Sequence, residues 1–181
     1  NKIYKSTGGL KDLLLHKSEG YNLAYPIIHL KNTDIEIAIT HSDNYGEEYY
    51  SFVNGQHTVH GGTHLSAFKE SLVRSVRDFY KKDFDVSDIR ASIVVGLSIR
   101  LQNPVFESQT KNKLGSIDME SSGPTIKVYI NDFLKTEFDN FLHKNSEIAN
   151  MILNKIVQSE KESQSMHSHN LINVIREGLN D

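Results

Sequence analysis

Two stretches of the chain alternate between apolar and polar positions. In residues 34–40, Ile35, Ile37 and Ile39 interleave with Asp34, Glu36, Ala38 and Thr40. A period of two predicts a half-buried strand with one wet face. In residues 92–101, Ile93, Val95, Leu97, Ile99 and Leu101 alternate with Val94, Gly96, Ser98 and Arg100. Asn103-Pro104 ends that strand, because proline offers no ladder donor. Shorter strand patterns occupy 26–31 and the Tyr- and Phe-rich run 48–53, and Asp43-Asn44-Tyr45-Gly46 carries hairpin-turn chemistry. The first three strands therefore read as a meander. Elsewhere the period lengthens. Leu65, Phe68, Leu72, Val76 and Phe79 recur at helical spacing, widened by Val73 and Tyr80, and predict a helix over 63–82 with Thr63 as N-cap. Its exposed side carries Lys69, Arg74, Arg77, Lys81 and Lys82.

A short helix is predicted over 10–17 through Leu10, Leu13 and Leu14. The stretch 83–88 reads as polar connection. Beyond the breaker Ser121-Ser122-Gly123-Pro124, the apolar positions Val128, Phe133, Leu134, Phe138, Phe141 and Leu142 predict a helix of about four turns. A second helix follows over 146–161 through Ile148, Met151, Ile152, Ile156 and Val157. Residues 163–169 carry no clear pattern, and 170–179 allow a last amphipathic turn or two. Strands first, a helix crossing to a further strand and helices at the end imply an α+β fold, with helices packed on one face of the sheet. The default crossover from the strand near 50 to that near 95 is right-handed.

Composition narrows the function classes. The 181 residues hold 20 Lys and Arg against 23 Asp and Glu, a net charge of −3. That excludes a globally basic nucleic-acid binder, though not a local basic face. Cysteine is absent, so no disulfide framework, thiolate metal site or cysteine nucleophile exists. No apolar run approaches the roughly 18 residues of a membrane span, and no signal-peptide pattern opens the chain. A cytoplasmic domain with no membrane partner is expected. The start Asn1-Lys2-Ile3-Tyr4, without methionine, reads as a piece of something longer.

Candidate chemistry lies in loops. Gly61-Gly62-Thr63-His64 precedes the main helix, where free N–H groups and the positive dipole end can meet a phosphate. The lack of a GxxxxGK[ST] pattern makes a flexible loop and N-cap the simpler reading. His57, His60 and His64 have metal-like spacing, but the two glycines break any continuous helix presenting all three, and a polar loop is favoured over a metal site. The run Phe106-Glu107-Ser108-Gln109-Thr110-Lys111-Asn112-Lys113-Leu114-Gly115 is more unusual. It combines an amide, a hydroxyl and two lysines, donors suited to an oxygen-rich anion such as a terminal phosphate.

In order, Tyr50-Ser-Phe-Val-Asn-Gly-Gln, Gly61-Gly-Thr-His-Leu-Ser-Ala-Phe, Asp88-Ile-Arg-Ala-Ser-Ile-Val-Val and Phe106-Glu-Ser-Gln-Thr-Lys-Asn-Lys-Leu-Gly resemble one family. It is the transducer domain of the ATPase subunit of bacterial type IIA topoisomerases, DNA gyrase B and topoisomerase IV B. The resemblance covers roughly residues 8 to 160. The stretch from Gly115-Ser-Ile-Asp-Met to Val128-Tyr-Ile-Asn-Asp-Phe is more similar to the topoisomerase IV type or a gyrase-like relative.

The resemblance implies a ribosomal-protein-like two-layer α+β sandwich, with a four-stranded sheet and a left-handed βαβ crossover that replaces the default hand, followed by long C-terminal helices. It implies a transducer sandwich over 1–143, with 1–20 linking from a preceding ATPase domain, a C-terminal helix over 144–162 and no assignment for 163–181. Functionally it implies a relay of ATP binding and hydrolysis to DNA strand passage in an isomerase. Gln109 and Lys111 would contact the γ-phosphate of ATP, with Lys111 the catalytic member. Lys69, Arg74, Arg77, Lys81 and Lys82 would face double-stranded DNA. The implied partners are the ATPase domain of the same subunit, a second copy of the subunit in a dimeric clamp, and the A-type topoisomerase subunit. ATP and Mg2+ would serve the parent enzyme, with no metal or cofactor held by this stretch alone. The ATPase domain's glutamate base, Mg-binding asparagine and glycine-rich lid have no counterpart here, so this stretch alone is expected to hydrolyse nothing. The alternatives are a free-standing nucleic-acid-binding module of the same fold, or the matching domain of a mismatch-repair ATPase. The second is disfavoured by the intact run 109–115. Sequence does not divide gyrase from topoisomerase IV.

Overall fold

The computed structural model describes residues 9–179; the first eight residues of the expected linker and the last two of the tail lie outside them. Five strands form one mixed sheet in the order β1-β2-β5-β3-β4. They are β1 (Ile28–Lys31), β2 (Ile35–His41), β3 (Glu48–Val53), β4 (Gln56–His57) and β5 (Ile93–Ile99). The count exceeds the expected four because the chain turns back at Asn54 and Gly55 into the two-residue β4, which pairs with the end of β3.

The predicted meander stops after its first hairpin. β1 and β2 pair antiparallel, but β5 inserts between β2 and β3, antiparallel to the first and parallel to the second. Ile35, Ile37 and Ile39 stand opposite Ile99, Leu97 and Val95, so the two clearest alternations of the sequence become neighbours. Their apolar faces seat one continuous core. A parallel neighbour for β3 requires a crossover, and residues 58–92 supply it.

That crossover contains α2 (Thr63–Tyr80) and the short α3 (Val86–Arg90). Ala67, Phe68, Leu72, Val73 and Val76 bury the predicted stripe of α2 against the sheet. Its N-cap is Gly62 rather than Thr63, and the Thr63 hydroxyl instead donates to the Ser116 carbonyl. The stretch 83–88, expected as connection, supplies most of α3. Its Asp88 is buried and accepts from Ser159 at 2.8 Å.

The other sheet face is covered too. α1 (Gly9–Lys17) lays Leu10 and Leu14 over Ala38 and Val94, forming a smaller core with Ile27 and Phe52. The wet face expected of β2 is therefore dry at Ala38, and Thr40 is buried too, its hydroxyl donating to the Tyr25 carbonyl at 2.9 Å. Gly96 of β5 permits this approach, since a Cβ there would lie 3.0 Å from Leu14 Cδ1 and 3.3 Å from Leu10 Cβ.

The predicted four-turn helix is three segments in one run: α4 (Ile126–Phe133), a π-helical turn (Leu134–Phe138) and α5 (Asp139–Lys144). Thr125 caps α4, its side chain accepting from the Val128 N–H at 3.1 Å. After Asn145 comes α6 (Ser146–Leu179), 34 residues long. Residues 163–179 continue this helix, where the sequence suggested a break and a separate short turn. Only the first half of α6 enters the core, through Ala149, Ile152 and Ile156. Among the described residues no helix is long and apolar enough to cross a membrane.

Candidate functional site

Residues 105–116 fold as a hairpin that stands off the sheet. Phe106 and Leu114 bridge antiparallel. The Glu107 N–H donates to the Lys113 carbonyl at 3.0 Å, and the Gly115 N–H to the Val105 carbonyl at 2.7 Å. The tip is a tight turn in which the Lys111 N–H donates to the Ser108 carbonyl at 3.1 Å. Lys111 takes φ 57°, the left-handed conformation that reverses a chain in few residues. At the base, Leu114 is fully buried and fixes the hairpin in the main core.

Gln109, Thr110 and Lys111 are all exposed at this tip. Thr110 is engaged with the Ser108 hydroxyl at 2.6 Å. Lys113 pairs with Glu107 across the hairpin at 3.2 Å. Among the described residues, the side chains of Gln109 and Lys111 make no hydrogen bond or ion pair. The structure thus separates the two loop lysines: one is neutralised by its own hairpin, the other projects free beside an amide. An ammonium and an amide N–H group on one exposed turn are donors of the kind that the oxygens of a terminal phosphate accept.

The two glycines before α2 are engaged by the hairpin. Gly62, with φ 133°, lies in a parallel bridge with Leu114. The Leu114 N–H donates to the Gly61 carbonyl at 3.0 Å, and the Leu114 carbonyl accepts from the Thr63 N–H at 3.1 Å. The Thr63 amide, which a phosphate would otherwise meet at this helix start, is committed to the hairpin. Sequence reasoning found the glycines and the loop but not their contact, which joins positions far apart along the chain.

The three nearby histidines diverge. His64 is fully buried, its Nε2 3.1 Å from the Thr58 hydroxyl, and burial pushes its pKa down to about 4. His57 stacks on Phe52, with ring centroids 5.1 Å apart. The His60 N–H donates to the Asn112 carbonyl at 2.8 Å. Among the described residues no three His, Cys, Asp or Glu side chains are grouped to hold a metal ion.

The basic side of α2 is uneven. Lys69 lies over the Tyr49 ring at 4.3 Å, and Arg74 donates to Asn131 at 3.2 Å. Arg77 donates twice to the Phe84 carbonyl, at 2.9 and 2.8 Å, clamping the turn after the helix. Lys82 pairs with Glu160 at 3.6 Å, while Lys81 is exposed at the left-handed C-cap. Arg90 and Lys127, not singled out from sequence, border the same groove, as do Glu70, Asp78 and Asp83.

Residues 7–170 match the family model described as DNA gyrase B. The chain is 39% identical over 168 residues to the B subunit of DNA topoisomerase 4 from Borreliella burgdorferi, covering 93% of this chain and 27% of that protein. It is 30% identical over 184 residues to the B subunit of DNA gyrase from Thermotoga maritima, covering 91% and 28%. This chain therefore spans little more than a quarter of the length of these relatives. Among solved structures, the 43K ATPase domain of Thermus thermophilus gyrase B in complex with an aminocoumarin superposes with a TM-score of 0.77 at 20% identity. That match covers 94% of this chain and 48% of that one, and it shows a shared fold. The ATPase region of Saccharomyces cerevisiae topoisomerase II aligns at 26% identity and a TM-score of 0.53, over 80% and 35%.

Proposed function

Since the chain belongs to the DNA gyrase B family, we propose that it is the transducer domain of an ATP-dependent type II DNA topoisomerase subunit. It works in the cytoplasm, beside an ATPase domain of the same subunit, in a dimeric clamp with a second copy and with the A-type subunit. Its role is to relay ATP binding and hydrolysis to the passage of double-stranded DNA.

The observation that carries this assignment is the hairpin tip, where Gln109 and Lys111 are exposed and, among the described residues, unpartnered, above a base locked into the core by Leu114. ATP bound with Mg2+ in the ATPase domain supplies the phosphoanhydride to be cleaved. Lys111 brings a positive charge to the γ-phosphate as charge develops there, and Gln109 adds an amide donor. When the terminal phosphate leaves, Lys111 loses its partner and the hairpin is free to shift with the body it is tied to.

The basic side of α2 and the turn after it, with Lys69, Arg74, Arg77, Lys81 and Lys82, faces the passing DNA and attracts it weakly and without sequence preference. The acids Glu70, Asp78 and Asp83 among these cations weigh against a tight, free-standing nucleic-acid-binding module.

Lys111→Ala in the full-length subunit tests the assignment. ATP turnover should fall about 100-fold, the scale set by removing one charge-stabilising donor. The isolated domain should keep its thermal unfolding transition, since the side chain is exposed. Unchanged turnover would remove Lys111 from this role.

A further inference from the structure

The hairpin that presents Lys111 makes no main-chain hydrogen bond to a strand among the described residues. Among the described residues, every main-chain hydrogen bond that leaves 105–116 ends on the four residues before and at the start of α2: His60 N–H to Asn112, Leu114 N–H to Gly61, and Thr63 N–H to Leu114. The Thr63 hydroxyl adds a bond to Ser116. The first arm of the hairpin bonds only to the second arm. Asn112, the first residue tied down, directly follows Lys111.

This seam has room for nothing at Gly62. A Cβ there would lie 2.3 Å from the Leu114 carbonyl oxygen, 2.4 Å from its nitrogen and 2.8 Å from its Cα. These are backbone atoms, which cannot rotate aside as a flexible side chain does. The backbone at φ 133° and ψ −160° is also a conformation that glycine adopts freely and other residues do not.

We infer that Gly62 is a positioning residue for the nucleotide contact: the Gly62–Leu114 seam sets the reach of Lys111 and makes the hairpin tip move with helix α2 as one body. The inference rests on the assignment of Lys111 to the γ-phosphate. Its physical basis is distance. Only Asn112 and Lys113 separate Leu114 from Lys111, and the two arms are hydrogen-bonded to each other, so a displacement of Leu114 passes to the tip. Relieving the Cβ clash requires a shift of about 1 Å, and misplacement on that scale costs up to about 100-fold in a positioned reaction.

The test is a double-mutant cycle in the full-length subunit. Gly62→Ala should lower kcat for ATP hydrolysis about tenfold or more, with KM for ATP within about threefold, because the interaction it misaligns strengthens in the transition state. In a Lys111→Ala background the same substitution should cost less than about twofold, because the group it misplaces is gone. Should Gly62→Ala lose its cooperative unfolding transition, Thr63→Val carries the cycle instead, with a drop of about threefold or more, and Thr63→Ser, which keeps the hydroxyl, should restore the rate. If Lys111→Ala slows turnover but the seam variants do not, or if the two effects multiply in full, the seam is only structural and the inference is overturned. If Lys111→Ala leaves turnover unchanged, the transducer assignment itself falls and takes this inference with it.

Discussion

At the scale of single residues, two histidines hold polar interactions inside the cores as neutral rings. His41 is 3% exposed, with Nε2 2.9 Å from the Ile89 carbonyl and Nδ1 2.5 Å from the Tyr25 hydroxyl. A carbonyl only accepts, so Nε2 bears the proton and Nδ1 accepts from Tyr25. Burial pushes the His41 pKa down to about 4, against the Ile89 bond and helped by Lys155. His64, buried beside Thr58, is lowered to the same level. The unfolded chain therefore binds protons that the native state refuses between about pH 6.5 and pH 4. Stability is complete above that window and is lost as pH falls through it, by up to about 3 kcal/mol per histidine. Urea unfolding across this range should show a midpoint that drops with pH, and His64→Gln should flatten the drop. A midpoint constant from about pH 6.5 to pH 5 would contradict the neutral rings.

At the scale of elements, α6 is the most divided. Ile152 and Ile156 are 2% and 0% exposed, whereas Leu171, Ile172, Val174 and Ile175 are each about half exposed or more. Ending the chain after Ser163 should leave the unfolding free energy from urea titration within about 0.5 kcal/mol of the parent. Ile152→Ala should cost about 2–5 kcal/mol through a cavity in the core. Equal losses from both would mean that the far half of α6 is packed. Periodicity alone revealed α2, β2 and β5, because burial on one face writes its spacing into the sequence. It did not reveal β5 between β2 and β3, since strand order depends on partners distant in the chain. Nor did it show the cover over β2: Ala38 is small and reads as solvent-facing until α1 is seen above it. Residues 163–169 have no apolar stripe, yet a helix already nucleated and packed upstream propagates through them at little cost. In the same way, Gln109 and Lys111 stand out in the sequence by residue type alone, while Gly62 gains meaning only with Leu114 against it.

At the scale of the whole molecule, the question is electrostatic. With a net charge of −3, any attraction for DNA must come from a local surface. Arg77 is held by the Phe84 carbonyl and Lys82 by Glu160, so both have structural work in the turn after α2. Arg74 and Lys81 are exposed and make the cleaner test. Replacing both by glutamine should weaken binding of the full-length subunit to duplex DNA severalfold at low salt. It should also lower the slope of log K against log salt by up to about two, roughly 0.9 for each phosphate no longer neutralised. An unchanged slope would make this side of α2 a solubilising surface only.

The length of α6 has a mechanical consequence. At 1.5 Å per residue its 34 residues extend about 50 Å, and the stretch past Ser163 accounts for about 25 Å of that. Its embedded half is gripped by the core that also holds α2, and α3 is pinned to it through Asp88 and Ser159. A tilt of about 10° at Ser159 swings the end of the helix, about 30 Å away, by about 5 Å. Past its grip near Ser159 the helix has the geometry of an arm on a pivot, so any rotation of the sandwich would be magnified at its far end.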